Sequence, residues 1–247
     1  DEHIFLFGMM ASAINFGPDG SLYVANWDGK WQPNELGSIW VVDDPALRKS
    51  EQRKQVAELL RGDFGRYTNS FLVYLLAHPD QRIRLEAQFE LAKRDRFDEL
   101  LGLATNPKGD RLARVHAMWG LGQLAPDNQR DKRLIKQLPF ADKDPEIRAQ
   151  AAKLAGIRAL KAAAPLLVDL LHDESARVQF HAAMALGQVG NNDTTSHLVA
   201  LLERNNDSDA YIRHAAIMGL AGGAHPEQLA ALNSHDSAAV RAAAAVG

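Results

Sequence analysis

Histidine, aspartate, arginine and tryptophan are the residues of this chain that could support chemistry, and their spacing is the first test of whether they do. Three of the nine histidines, His78, His172 and His235, stand in the similar tripeptides HPD, HDE and HDS. Recurrence at comparable points argues for a turn role, an imidazole bonding backbone carbonyls. Their distance apart along the chain argues against one shared metal. His116 and His181 hold the same place in segments two apart, again too far for a common ion, and His214, one position earlier, belongs at an interface or on the surface. No H-E-x-x-H zinc pair, Walker loop or dinucleotide glycine pattern is present. Ser, His and Asp are abundant, but no spacing marks a nucleophile. Trp27, Trp31 and Trp40 gather near Asp28, Asn34 and Glu35, so indole faces beside carboxylates could hold a sugar or a partner, although packing accounts for the cluster without a ligand. Trp119 reads as packing. Catalytic, cofactor and metal residues are therefore expected to be absent from this chain.

The remaining charged residues follow a rule. Around the apolar anchors Ile83, Ala113, Ile147, Val178, Ile212 and Val240 the same recipe recurs, at spacings of 30, 34, 31, 34 and 28 residues. Three positions before each anchor stands Asp80, Asp110, Asp144, Ser175, Asp209 or Ser237. One position after stands Arg84, Arg114, Arg148, Gln179, Arg213 or Arg241. Four after is always alanine, from Ala87 to Ala244, and nine after is Ala92, Gly122, Gly156, Gly187 or Ala221. The Asp or Ser is placed to cap a helix by accepting an unpaired N–H, and Pro145 fits the first helical position, which needs no donor. Anchor, +4 and +8 then share one helix face. Alanine at the middle of that face admits a close neighbour, and small residues at +9 end the pattern with little bulk. The arginines point elsewhere and are expected to reach an aspartate of their own or an adjacent repeat. The predicted site is thus a structural ladder of caps and ion pairs, made of Asp80, Asp110, Asp144 and Asp209 with Arg84, Arg114, Arg148, Arg213 and Arg241.

Between these helices lie leucine-rich partners over residues 69–77, 97–105, 132–138, 162–172, 194–203 and 227–233. Each pair is a helical hairpin that cannot bury its apolar face alone, and stacking solves the problem. The D-x-x-[IVA]-R-x-x-A pattern over residues 68–247 resembles HEAT repeats, especially the short bacterial kind related to those of phycobilin lyases. The predicted fold is mainly α: a right-handed α-solenoid of about six HEAT-like hairpins, the last one truncated.

The helical period vanishes before residue 46. A P-D-G turn at Pro18–Gly20, an alternating strand at Ser21–Ala25 and a second at Ser38–Val42 read as β structure. Strands this few need an external apolar surface, so Phe16, Leu22, Val24, Ile39 or Trp40 are expected to pack on the first helical repeats. The stretch from Phe16 to about Val42 resembles the last blade of a β-propeller, cut short. Residues 1–45 are assigned to that remnant, 46–67 to a helical linker and 68–247 to the repeats. The order of propeller then HEAT array, with the stretch LLAHPDQRIRLEAQFELAKR, resembles large exported bacterial dehydrogenase-like proteins. In that family a sugar-dehydrogenase-type propeller precedes HEAT repeats and a cytochrome c module. The resemblance implies a periplasmic or exported protein concerned with carbohydrate or alcohol oxidation. No catalytic or haem residue of it maps onto a position here.

Composition supplies the remaining expectations. The 247 residues contain no cysteine, which excludes disulfides, thiolate metal sites and covalent C-x-x-C-H haem within them. No apolar run reaches the roughly 18 residues of a membrane helix, and no signal peptide is visible. The opening without Met and the ending inside a repeat helix suggest a piece of a longer protein. The net charge of −3 hides an asymmetry: residues 48–161 carry 23 basic and 15 acidic side chains, net +8, between acidic flanks. Such a middle can steer an anionic partner, face an acidic neighbouring domain, or simply be solvated. The expected role is a non-catalytic scaffold that docks a protein, or another domain of its own polypeptide, on a concave face. The alternatives are a part of a sugar or alcohol oxidoreductase whose active centre and haem lie outside the chain, and a HEAT-like nucleic-acid binder. The acidic flanks argue against the last.

Overall fold

A computed structural model describes residues 8–27, 36–190 and 194–246. The chain divides into two compact units, Asp1–Tyr67 with Asp80–Ile83, and Thr68–Pro79 with Arg84–Gly247.

The first unit holds β1 (Ala11–Phe16), β2 (Leu22–Asn26) and β3 (Ser38–Val42) as an antiparallel sheet in the order β1-β2-β3. The β1–β2 turn follows the P-D-G signal: Gly20 takes a φ of +77°, open to glycine, and Asp19 Oδ1 accepts the Ser21 N–H at 3.1 Å. Ile14, Val24 and Trp40 are in register across one face. Val24 alone of the expected packing residues is fully buried; Leu22 is half-buried, and Phe16, Ile39 and Trp40 are exposed. Stretch 46–67, expected as a separate linker, is in the same unit as the sheet. Its helix α1 (Glu51–Arg61), capped by Ser50, points Arg53 at the hairpin, where the guanidinium donates to Asp19 O at 2.9 and 2.6 Å and to Asp43 at 2.6 Å. A small three-stranded sheet is thereby tied to a helix by charge-assisted bonds.

The second unit is an α-solenoid. Among the described residues its helices follow in the order α2 (Asn69–Leu75) and α3 (Gln81–Lys93, whose first three residues count with the first unit), α4 (Phe97–Ala104) and α5 (Arg111–Gln123), and α6 (Asn128–Gln137) and α7 (Pro145–Ile157). Then follow α8 (Ala164–Leu170) with α9 (Ala176–Val189), α10 (Thr195–Asn205) with α11 (Ala210–Gly223), and α12 (Pro226–Ala231) with α13 (Ala238–Val246). The second helices α5, α7, α9, α11 and α13 neighbour one another in that order. The core is the predicted stripe: Ala87, Ala117, Ala151, Ala182 and Ala216 are fully buried, with Leu91, Leu121, Ala155, Leu186 and Leu220 a turn further on. Leucine pairs of the first helices, such as Leu100–Leu101 and Leu201–Leu202, close over it. Twelve residues after the anchor, Asp95, Ala159 and Gly190 take left-handed backbones with φ of 58°, 48° and 61°, which stops the second helix and turns the chain into the next repeat. None of the described helices is long and apolar enough to cross a membrane.

Candidate functional site

Four of the six expected cap residues, all aspartates, accept a helix N–H, whereas Ser175 and Ser237 show no side-chain cap bond. Asp110 Oδ1 accepts from Ala113 N at 2.9 Å, Asp144 from Glu146 N at 2.9 Å, and Asp209 from Tyr211 N and Ile212 N at 2.7 and 3.1 Å. Asp80 Oδ1 accepts from Arg82 N at 2.9 Å. At Ser175, Asp173 Oδ1 instead takes the backbone N–H at 2.8 Å.

The arginines do something the spacing did not disclose. Each folds back over the turn ahead of its own helix. Arg84 Nη1 donates to His78 O and Pro79 O at 2.7 and 2.8 Å, Arg148 Nη1 to Asp142 O and Lys143 O at 2.8 and 3.3 Å, and Arg241 Nη1 to His235 O and Asp236 O at 2.6 and 2.8 Å. Gln179 reaches Asp173 O at 2.6 Å in the same way. Arg213 meets the Asp207 carboxylate of its own turn at 3.3 Å. Two arginines also cross to the next repeat: Arg114 Nη2 to Asp142 at 2.6 Å, and Arg148 to both oxygens of Asp173 at 2.7 and 2.8 Å. The acceptors are not the cap residues Asp144 and Ser175 but the acids two positions before them. Both pairs are nearly buried. Burial would raise the Asp142 and Asp173 carboxyls, but the Arg114 and Arg148 bonds, with the Asp144 and Ser175 N–H groups, hold them below the usual range. Position by position, the cross-repeat ladder has those two rungs because Lys108 stands where Arg84 would need an acid, and Gln179 stands where Asp207 would need an arginine.

Arg84 turns to a histidine instead. His116, 2% exposed, accepts Arg84 Nε on Nε2 at 3.0 Å, and its Nδ1 lies 2.8 Å from Gln88 Oε1. The ring is therefore the Nδ1–H tautomer, and burial followed by the Arg84 charge pushes its pKa down to about 4. His181, at the same place on α9, is also pushed down to about 4, by burial and then by Arg177 and Lys153. His116 and His181 are structural neutral imidazoles in separate settings. Among the described residues the His235 imidazole bonds no carbonyl of the kind the turn reading expected. Its Nδ1 accepts the Ser237 N–H at 3.1 Å. His214 is exposed on α11. No group of three or more His, Asp or Glu gathers as a metal site among the described residues.

Large apolar side chains left exposed in the helical array fall mostly on the second helices, with Phe71 and Tyr74 of α2 and Leu166 of α8 the exceptions among the described residues. On the second helices Phe89, Leu112, Trp119, Ile157, Tyr211 and Met218 are exposed or half-buried. Between α5 and α7 they border a groove of about 430 Å³, lined by Met118, Trp119, Gly122 and Gln123 on one side and Gln150, Lys153, Leu154 and Ile157 on the other. Trp119 is thus a groove wall and not buried packing. Its indole N–H donates to Gln150 Oε1 at 2.8 Å, and the Lys153 ammonium stands 5.9 Å from its ring centroid.

One residue distinguishes this joint from the next two. At the +9 position of α7 a Cβ on Gly156 would lie 2.9 Å from Ala185 Cα, and at +9 of α9 one on Gly187 would lie 2.9 Å from Gly219 Cα. The +9 glycines are thus where neighbouring helices touch, and not merely where the pattern ends. The touching residue is at +7 of the next helix. On α7 that position holds Leu154, whose side chain meets Gly122 of α5 at ordinary contact, 3.4 Å from a would-be Cβ. A leucine where the following helices carry Ala185 and Gly219 wedges α5 off α7.

The tryptophan cluster of the β region is only partly placed. Trp27 is half-exposed, its backbone N–H donating to Met10 O at 3.0 Å, and Trp40 Nε1 donates to Ser38 Oγ at 2.9 Å. Asp28, Trp31, Asn34 and Glu35 lie outside the described residues.

Residues 131–221 match the family model described as HEAT repeats. Among solved structures, the complex of CpcE and CpcF of phycocyanin lyase from Nostoc sp. PCC7120 is 20% identical, with a TM-score of 0.47 over 72% of this chain and 75% of that one. Two engineered proteins match with 20% and 22% identity and TM-scores of 0.43 and 0.44, each over 72% of this chain and over 93% and 96% of their own. No curated protein matches the chain.

Proposed function

We propose that the chain is a non-catalytic scaffold whose second-helix row docks a protein segment or a neighbouring domain. One observation carries this reading. The second helices are closed by charge and caps at their starts, yet leave Phe89, Leu112, Trp119, Ile157, Tyr211 and Met218 uncovered along them. Apolar residues clustered outside a core mark interaction surfaces, whereas the polar groups of this array are engaged in holding its own turns. In this reading the chain holds no cofactor of its own. A photo-crosslinking amino acid at position 211 should trap a protein partner in cell extract, and the same group at position 136, a polar exposed site on α6, should not. Equal trapping from both positions would defeat the proposal, and so would sugar or alcohol turnover by the purified chain.

A second reading is favoured by the sheet. Both β1 and β3 end the described sheet without a further strand, and Ile39, Val41 and Trp40 are exposed on its faces. A sheet of this kind calls for neighbours. We infer that it is the remnant of a last propeller blade in a larger exported, periplasmic dehydrogenase-like protein, with the redox centre elsewhere in that polypeptide. The complete reading frame tests this directly: an export signal, further blades and a C-x-x-C-H motif are expected, and their joint absence would sink it.

A further inference from the structure

The α5–α7 groove has a chemistry more particular than an apolar face. Its walls are Met118, Trp119, Leu154 and Ile157, enough to take one large side chain within about 430 Å³. At its edge Lys153 is exposed and makes no ion pair among the described residues, while its ammonium is held 5.9 Å from the Trp119 ring. The acid on its own helix that faces this side, Glu146, is already taken by Arg177 at 3.0 Å and by Gln150 at 2.7 Å. A cation beside apolar walls, in the stretch of the chain with 23 basic and 15 acidic residues, is complementary to a carboxylate that follows an apolar anchor. We propose that this groove seats a short acidic peptide, sinking one large apolar side chain between Trp119 and Ile157 and setting a carboxylate on Lys153. The inference rests on the scaffold reading above and names the partner chemistry at one point of that surface.

The fit favours a peptide over a nucleic acid. A strand of nucleic acid needs a row of phosphate-binding cations, and the neighbouring arginines here are spent on carboxylates and carbonyls: Arg111 lies 3.6 Å from Asp144, Arg114 holds Asp142 and Arg177 holds Glu146.

The test is to pan a phage-displayed random peptide library against the intact chain, then to measure the synthetic winning peptide by fluorescence anisotropy. Peptides enriched in one Phe, Trp or Leu beside Asp or Glu are expected. Lys153→Glu should weaken the winner about 10-fold or more, a loss of roughly 1.4 kcal/mol, and a peptide with lysine in place of its acid should regain binding to that variant. Trp119→Ala should weaken both peptides, with circular dichroism unchanged. No enrichment, or enrichment of basic or wholly polar peptides, would overturn the proposal. Peptides that bind both variants as well as wild type would place the seat elsewhere on the array, overturning this inference while leaving the scaffold reading standing. Displacement of the peptide by a 12-nucleotide oligothymidylate that binds more tightly would replace the acidic peptide with nucleic acid.

Discussion

Between α7 and α9, and again between α9 and α11, backbone meets backbone: Gly156 faces Ala185, and Gly187 faces Gly219. Between α5 and α7 the corresponding glycine, Gly122, faces the side chain of Leu154, and a groove opens beside it. Yet α5–α7 and α7–α9 share the same buried ion pair, Arg114–Asp142 at the open joint and Arg148–Asp173 at the closed one, while α9–α11 closes with Gln179 in place of the arginine. The comparison separates two tasks that a repeat joint performs. Registration of one turn on the next is electrostatic and common to both joints. The distance between helices is steric and is set by a single +7 residue, so a binding surface can be opened without loosening the ladder.

If that separation holds, removing the arginine should cost the same at both joints. Arg114→Ala and Arg148→Ala each leave a nearly buried aspartate without its partner, and each should destabilise by about 3–5 kcal/mol. Urea unfolding measures the loss. In a double-mutant cycle Arg148→Ala with Asp173→Ala should lose less than the sum of the two, because one interaction is counted twice. Arg148→Ala with Asp144→Ala should be close to additive apart from the cap, worth about 1 kcal/mol. A much smaller loss at Arg114 than at Arg148 would mean that the open joint is loose in charge as well as in packing.

The next effect is carried first by α5. His116 is neutral in the fold with its pKa pushed to about 4, against an ordinary 6.5. Between those values the unfolded chain binds a proton that the folded one refuses, so stability is full above pH 6.5 and falls as the pH drops toward 4. At about 1.4 kcal/mol per unit the loss approaches roughly 3 kcal/mol. His116→Gln should flatten this part of the pH–stability curve while keeping bonds to Arg84 and Gln88 within reach. An unchanged slope in the variant would assign the acid sensitivity to other groups. His181, on the closed side and less deeply buried, should contribute in the same direction.

Steric closure is tested at Gly156. Leucine there would drive a side chain into the α9 backbone, and overpacking of this kind costs about 1–3 kcal/mol or more. A Gly156→Leu protein as stable as wild type would show that the joint can part freely, and the contrast with α5–α7 would vanish.

The helices were legible because their signals are local. Capping residues, a 3.6-residue period and alanine at +4 recur in every repeat, so the first and second helices fall where the pattern puts them. The strand Ser38–Val42 was equally plain, whereas β1 was hidden in an apolar run without alternation, ASAINF. What failed to show was relational. The arginines were visible, but their cross-repeat acceptors lie two residues before the caps, in turns whose course no periodicity describes. Leu154 looked like any helix leucine. Only alignment of +9 on one helix with +7 on the next reveals it as the outlier among Gly120, Ala185 and Gly219. Lys153 and Trp119 likewise come together only because α5 and α7 stand apart.

The smallest expected effect is the one that bears most directly on that wedge. Alanine at Gly122 adds a Cβ that would lie 3.4 Å from Leu154 Cδ1 and 3.8 Å from Ile157 Cγ2, both ordinary van der Waals distances. Nothing has to move, and the helix interior gains the propensity difference between glycine and alanine, up to about 1 kcal/mol. Gly122→Ala should therefore be neutral or slightly stabilising, where the same change at Gly156 or Gly187 meets backbone 2.9 Å away and must destabilise. The three variants differ by one methyl group each and can be read from urea midpoints at a common denaturant slope. Should Gly122→Ala lose as much as the other two, α5 and α7 would be in the same close contact as the later helices. Leu154 would then be no wedge, and the groove would have to be explained by side-chain placement alone.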